Sequence, residues 1–310
     1  MRAVVVADKG GRPALAEVPT PRPGPGEVLV RVRGSSVNGF DTAVAAGYLA
    51  GMMEHRYPLV LGKDFAGTVE AVGDGVTRFA AGDPVFGVVT KPFLGDGGFG
   101  EYVTVSDQIG ITALPGGLDL ATAGALGLAG SAAVDALAAA AAQPGETVLI
   151  SGATGGVGAI AVQYAAAAGA RVIATARPGA ETGFVRGLGA HAVVDHTGDL
   201  PAQVRALSPA GVDVVLHLAG DGGALAGLLA EKGRLASTLG FGPEQHPAAI
   251  SVLAVPSAET LDRLAADAAA GRLTVPVART YPLAEVPAAF GDFAAGTVGK
   301  IAISVGEDHE

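Results

Sequence analysis

The positions with most chemical content in this chain are glycines. The pattern Ala153-x-Gly155-x-x-Gly158 follows a β-prone run, residues 147–151. It leads straight into residues 159–166, good helix formers with apolar side chains at helical spacing. Strand, tight turn and helix in that order offer free backbone N–H groups and a positive helix end to a pyrophosphate. Gly155 lets the backbone approach the phosphates, and Gly158 lets helix pack close on strand. Thr154, Gly156 and Val157 fill the turn, and Ala153 stands where the usual fingerprint has its first glycine. The spacing predicts dinucleotide binding.

The next β-run ends in Thr175-Ala176-Arg177-Pro178. Sites specific for NAD place a carboxylate at that end, where it bonds the ribose hydroxyls. Here there is none, and an arginine instead. A 2′-phosphate is a dianionic acceptor suited to a guanidinium fork, so Thr175 and Arg177 predict NADPH as the preferred cofactor.

Metal chemistry has little to work with. Cysteine is absent, which removes disulfides, thiolate metal sites and cysteine nucleophiles together. The six histidines, at 55, 191, 196, 217, 246 and 309, show no i,i+4 pair and no H-E-x-x-H. No metal site is expected.

These groups need elements to hold them. A chain of 310 residues, 49% hydrophobic and 16% charged, has ample material for two cores. A net charge of −10, with no basic patch, argues against nucleic acid as a partner. Residues 1–8 read as a short strand with Asp8 directly after it, not a signal peptide. Residues 118–142 are very apolar but are interrupted by Asp119, Asp135 and glycines. They read as buried helix and loop, not as a membrane span, and the protein as cytoplasmic.

Residues 1–115 are β-rich: 27–33 alternates, Gly-Pro clusters mark turns, and 68–72, 84–89 and 101–105 are further strands. From about residue 120 helical stretches alternate with β-runs at 147–151, 171–175, 192–195, 213–218, 233–238 and 250–255. That rhythm is an α/β doubly wound parallel sheet. Ser257 caps a last helix reaching Ala270. Residues 283–295 form another helix, 299–305 a strand that returns to the N-terminal domain, and 307–310 a polar tail. The expected division is a β-rich domain, 1–120 with 272–310, and a Rossmann domain, 121–271.

Several ordered stretches carry a resemblance. They are Val37-Asn38-Gly39-Phe40-Asp41, residues 58–67 with Gly62-Lys63-Asp64, residues 72–83, Gly97-Gly98-Phe99-Gly100-Glu101-Tyr102-Val103, the glycine turn, and the closing Gly299-Lys300-Ile301. The chain resembles the medium-chain dehydrogenase/reductase superfamily, in its zinc-independent quinone oxidoreductase (zeta-crystallin-like) branch. The resemblance implies a GroES-like catalytic domain closed by the C-terminal strand, a Rossmann domain, and an active-site cleft between them. Zinc-dependent relatives carry Cys where this chain has Asn38 and His where it has Lys63. An amide oxygen is a poor zinc ligand, and a protonated amine is none. Without that Lewis acid, reduction of a quinone or a conjugated C=C bond fits better than alcohol oxidation.

The resemblance also implies site residues. Asn38, the loop at Leu218-Ala219 and the loop at Leu239-Gly240 are expected near the nicotinamide and its ribose, with Lys300 counted at the cofactor. His196 falls where relatives often carry a tyrosine near the adenosine phosphate. Glu181 is unusual, since many relatives carry a cation near there. Tyr48 is the first choice for proton donor, because a phenol near the cleft can donate to a developing enolate. Tyr57, Lys63 and Asp41 are further candidates, and water an alternative source. Asp41 and Asp64 also read as loop-holding groups or partners of Lys63. Relatives usually carry Thr and an aromatic where this chain has Ala132 and Val134, which leaves room for a bulky substrate. A tailoring reductase acting on a polyketide-like intermediate is therefore an alternative, as is a non-catalytic NADPH-binding protein. Relatives often dimerise through Rossmann sheet edges, so a homodimer through residues 250–255 is expected, with a small-molecule substrate and no membrane partner.

Overall fold

The computed structural model describes residues Met1–Gly306; the polar tail 307–310 lies outside the described residues. The chain divides into two compact units, residues 1–128 with 256–310 and residues 129–255.

The first unit is built on strand Glu27–Ser36. It pairs antiparallel with Asp64–Val72, with Tyr102–Ser106 and with Lys300–Ser304. The sheet continues through Pro84–Val88 to Ile111–Ala113 on one side, and to Val277–Pro282 on the other. The C-terminal strand therefore returns to the N-terminal sheet. Val30, Phe65, Phe99 and Ile301 are at most 1% exposed in this core. Each such side chain contributes roughly 1.5–3 kcal/mol by leaving water. Helix Gly39–Ala45 hangs off the end of the central strand, with Asn38 at its N-cap.

The helix Ala258–Ala269 has its expected cap, Ser257 Oγ accepting from the Thr260 N–H at 3.1 Å. It belongs to the first unit, not to the Rossmann domain as expected. Its apolar stripe Leu261, Leu264 and Ala265 is buried. It packs on strand Ile111–Ala113, where the Thr112 hydroxyl donates to Asp262. The boundaries accordingly fall at 128/129 and 255/256, in place of the expected 120/121 and 271/272.

The second unit is a six-stranded parallel sheet. Its spatial order is Ala192–Val194, Arg171–Thr175, Thr147–Ser151, Val212–His217, Leu229–Ser237, Ala249–Ser251. This is the doubly wound order whose switch point lies beside the first strand. Val148, Leu149 and Ile150 are fully buried, as an apolar run in a sheet covered on both faces should be. The edge strand is shorter than expected, Ala249–Ser251 rather than 250–255. The Val255 N–H is drawn off to Asp135 Oδ2 at 2.7 Å, and Leu253 and Val255 stay 85% and 62% exposed. No helix among the described residues is long and apolar enough to cross a membrane.

Candidate functional site

The second unit carries a glycine turn at the carboxyl ends of its strands. Helix Gly156–Ala167 starts on Gly155, whose extended backbone (φ −75°, ψ 175°) forms the N-cap. The first N–H groups of this helix have no carbonyl four residues back to bond. Thr154, Gly155, Gly156 and Val157 are partly exposed there, while Gly158 is buried. A Cβ on Gly158 would lie 2.2 Å from Gly152 O and 2.6 Å from Ala153 Cα. Gly158 is thus the close-packing glycine that the spacing predicts. The tight turn itself is made one residue before Ala153: Gly152 has φ +67°, a conformation that favours glycine. Ala153 is fully buried and serves packing. This turn, partly exposed at the start of a helix, fits a pyrophosphate.

Thr175 takes a supporting place and is 3% exposed. Its hydroxyl accepts the Gly152 N–H at 3.0 Å, so it anchors the turn from the neighbouring strand. Thr175 is in register with Val194. Arg177 and His196 each lie two residues past that pair and are both exposed, at the same end of adjacent strands.

The other two loops are held by residues that sequence reasoning missed. Ser151 Oγ accepts from Leu218 N (3.1 Å) and Ala219 N (3.3 Å) and donates to Leu216 O (3.1 Å). His217 Nε2 bonds Gly220 O at 3.1 Å, which assigns Nδ1 as acceptor of the Ser237 hydroxyl at 3.0 Å. Ser237 Oγ in turn accepts from the Leu239 N–H at 3.0 Å. Leu218 and Ala219 therefore sit on a loop pinned by Ser151 and by the His217–Gly220 bond, and Leu239 and Gly240 on one pinned by the His217–Ser237 pair. The one sequence signal was position: Ser151, His217 and Ser237 each end a predicted strand or stand next to its end.

The first unit carries a buried polar cluster. Asp64 is fully buried. Its Oδ2 accepts from the Ser36 hydroxyl (2.6 Å) and Asn38 Nδ2 (2.8 Å), and its Oδ1 from the Leu128 N–H (2.7 Å). Lys300 is 4% exposed. Its ammonium donates to Asn38 Oδ1 at 2.6 Å and Val37 O at 3.0 Å, and lies 3.7 Å from Asp64 Oδ2. Burial pushes this ammonium below the usual lysine value, opposed by Asp64 and Asp41.

The cluster brings together Asn38, Asp41, Asp64 and Lys300. Lys300, expected at the cofactor, spends its donors inside the first unit. Asn38 is 7% exposed, with its amide donating to Ser36 O (3.3 Å) and Asp64; the Lys300 bond occupies its oxygen. Asp41 is 2% exposed and caps helix Gly39–Ala45 by accepting the Asn38 N–H at 2.9 Å. Burial, and next the Asp64 charge, push its carboxyl up to about 7, against the Asn38 N–H, Lys300 and Lys63. Asp64 is paired with Lys300 and not with Lys63. The Lys63 ammonium donates instead to Val89 O and lies 5.1 Å from the Phe40 ring centre. Burial lowers its pKa, opposed by Asp41 and Asp64. Tyr48, by contrast, is 78% exposed.

Zinc does not fit these donors. There is no cysteine, the Asn38 amide is committed, and Lys63 is a cation on a carbonyl. Among the described residues no group of three or more His, Asp or Glu is arranged to hold a metal.

Residues 24–116 match the alcohol dehydrogenase GroES-like domain family, and residues 188–303 the zinc-binding dehydrogenase family. The chain is 32% identical over 226 residues to the quinone oxidoreductase of Lama guanicoe, covering 70% of this chain and 66% of that protein. It is 36% identical over 291 residues to the phthioceranic/hydroxyphthioceranic acid synthase of Mycobacterium tuberculosis, covering 86% of this chain and 13% of the synthase. The chain thus spans about two thirds or less of these relatives' own length. A solved alcohol dehydrogenase superfamily protein from Novosphingobium aromaticivorans superposes with a TM-score of 0.85 at 32% identity, covering 99% of this chain and all of that one. A mycobacterial protein solved as its NADPH complex gives 0.85 at 28% identity, covering 98% and 99% of the two chains. With a GroES-like unit, a Rossmann unit and relatives of this kind over its whole length, the chain belongs to the medium-chain dehydrogenase/reductase superfamily.

Proposed function

We propose that the protein is an NADPH-dependent oxidoreductase that reduces quinones or the conjugated C=C bond of enones without zinc. The second unit binds the cofactor. The observation that carries the reading is the donor set of the first unit. Where a Lewis acid would need thiolate and imidazole, there is a spent amide, an ammonium on a carbonyl, and a closed Asp64–Lys300 pair. Nothing in that set polarises an isolated carbonyl as a metal would. A substrate whose own conjugation spreads the developing charge is the chemistry such a site can serve.

Bound NADPH supplies the hydride. The cradle at 152–158 holds the pyrophosphate, Arg177 meets the 2′-phosphate, and Ser151 and the His217–Ser237 pair fix the two loops assigned to the nicotinamide side. Of the proton donors named from sequence, Asp41 is committed to its cap, Lys63 donates to Val89 O, and Tyr48 is more exposed than Tyr57. Tyr48 is the proposed donor to the reduced substrate.

The test is NADPH and NADH oxidation against a panel of quinones and α,β-unsaturated ketones. Turnover with NADPH, and a weaker response to NADH, is expected. Arg177→Ala should weaken NADPH much more than NADH, and Tyr48→Phe should lower kcat without changing cofactor affinity. Tight NADPH binding with no turnover on any acceptor would overturn the enzymatic reading in favour of a binding protein. A second reading rests on Ala132 and Val134: a tailoring reductase for a bulky acyl intermediate. The synthase relative, aligned over most of this chain, supports it. Preference for small quinones over long-chain enoyl thioesters would count against it. A homodimer through the edge strand Ala249–Ser251, with Leu253 and Val255 exposed beside it, belongs to the same proposal, and light scattering at several concentrations tests it.

A further inference from the structure

The Arg177 guanidinium does not stand alone. The Glu181 carboxylate is fixed beside it: Oε2 accepts the Arg177 backbone N–H at 2.8 Å, and Oε1 lies 3.9 Å from Arg177 Nε. The turn is closed a second time by the Thr182 hydroxyl donating to Arg177 O at 3.1 Å. Glu181 is held by backbone, with its side chain 20% exposed, while the Arg177 side chain is 59% exposed. The acid therefore stays when the arginine moves. A second acid, Asp195, adjoins His196 and bonds the Thr197 N–H and hydroxyl at 2.9 and 2.7 Å. The charge of Arg177 reaches it and helps keep its carboxyl low, after the larger effect of the Thr197 bonds. The arginine that sequence reasoning assigns to a 2′-phosphate thus works among anions.

We propose that Glu181 is a specificity-determining residue of the cofactor site, limiting the preference for a 2′-phosphorylated dinucleotide over one with a free 2′-hydroxyl. This rests on the reading of residues 152–158 and Arg177 as the cofactor site. A 2′-phosphate arriving at Arg177 must share the guanidinium with a carboxylate that cannot leave, and like charges at that range oppose each other. A free 2′-hydroxyl meets no such opposition and can donate to the carboxylate, the arrangement by which Rossmann sites hold ribose. Glu181 places that carboxylate four residues beyond Arg177, on the first turn of helix Ala180–Gly187. The acid absent from residues 175–178 is in this way supplied from the next element.

Glu181→Gln isolates the charge, because its amide oxygen can still accept the Arg177 N–H and the turn is kept. The readout is calorimetric binding of two probes that lack nicotinamide, adenosine 2′,5′-bisphosphate and AMP, alongside NADPH and NADH. We expect the variant to bind adenosine 2′,5′-bisphosphate and NADPH about two- to fivefold more tightly, the size of one exposed charge acting near a phosphate. AMP should change by less than about twofold and NADH should weaken or stay level. Equal factors for phosphorylated and unphosphorylated ligands, or no change in either, would overturn the assignment of Glu181 alone. If the unaltered protein binds neither dinucleotide, the cofactor reading and this assignment fall together. A wild-type preference for NADH, with the variant still shifting toward NADPH, removes the NADPH preference and supports Glu181.

Discussion

The two polar regions of this chain are built on opposite plans. The cradle of the second unit works through backbone. Its N–H groups come from one continuous segment, residues 152–158, and side chains such as Thr175 and Ser151 only hold that backbone in place. The cluster of the first unit works through charged side chains from residues 36–41, 64 and 300, joined across the sheet and withdrawn from water. Backbone sites lose function by degrees, because no single side chain supplies the ligand contact. A buried ionic cluster stands or falls by each member, since removing one partner strands another without water to replace it.

The contrast is broken most directly at Lys300. Lys300→Met should cost about 3–5 kcal/mol, as the Asp64 carboxylate loses its buried counter-charge. Urea denaturation at pH 7 measures this, and a change below about 1 kcal/mol would mean that the Ser36, Asn38 and Leu128 donors satisfy Asp64 alone. Replacing both members, Asp64→Asn with Lys300→Met, should be less harmful than the single change.

Asp41 gives the cluster a pH signature that the cradle lacks. Its carboxyl stands at about 7 in the folded chain against an ordinary 3.8. Between those values the native state keeps a proton that the unfolded state has released, so stability falls as pH rises from about 4 to about 7 and is level above. Three pH units at 1.36 kcal/mol each set the scale at about 4 kcal/mol. Asp41→Asn keeps an oxygen for the Asn38 N–H and removes the charge. The variant should match wild type near pH 4 and be more stable at pH 8 by up to that amount. Parallel stability curves for the two proteins between pH 4 and 8 would show that Asp41 is ionised throughout.

The same contrast explains what could be read from sequence. The cradle was legible because its requirements are local: a strand, a glycine that must admit a close helix, and a helix follow one another within about twenty residues. Even there Ala153 occupies the fingerprint's first place, and the positive φ falls one residue earlier, at Gly152. The doubly wound parallel sheet followed from six β-runs with helices between them. The cluster was not legible, because nothing in a linear pattern says that Lys300 meets Asn38, 262 residues away. Lys63 is nearer in sequence to both acids and is a cation of the same kind, yet its ammonium went to Val89 O. The last helix was misplaced for a similar reason: its stripe of Leu261, Leu264 and Ala265 says that it packs, not on which sheet.

On the cradle side the largest effect is expected at Gly158. Gly158→Ala puts a Cβ against Gly152 O and Ala153 Cα, both backbone atoms that cannot turn aside. A cost of about 1–3 kcal/mol is expected for the displaced backbone, with NADPH binding weakened as helix Gly156–Ala167 shifts from the strand. If stability falls while NADPH affinity is unchanged, the helix start does not hold the pyrophosphate.

The smallest effect tests whether a side chain can matter to a backbone site only by holding it. Thr175→Val is close to isosteric and leaves the packing of strand Arg171–Thr175 in place, but it removes the oxygen that accepts the Gly152 N–H at 3.0 Å. That donor lies under the turn, so its loss should cost about 1–3 kcal/mol in denaturation. Thr175→Ser, which keeps the hydroxyl, should recover most of it. Since Thr175 is assigned no direct ligand contact, NADPH affinity should fall by the same factor as NADH affinity in Thr175→Val, whereas Arg177→Ala should separate the two. A loss confined to NADPH in Thr175→Val would instead make the hydroxyl part of the 2′-phosphate site, and the cradle would then depend on side chains as the buried cluster does.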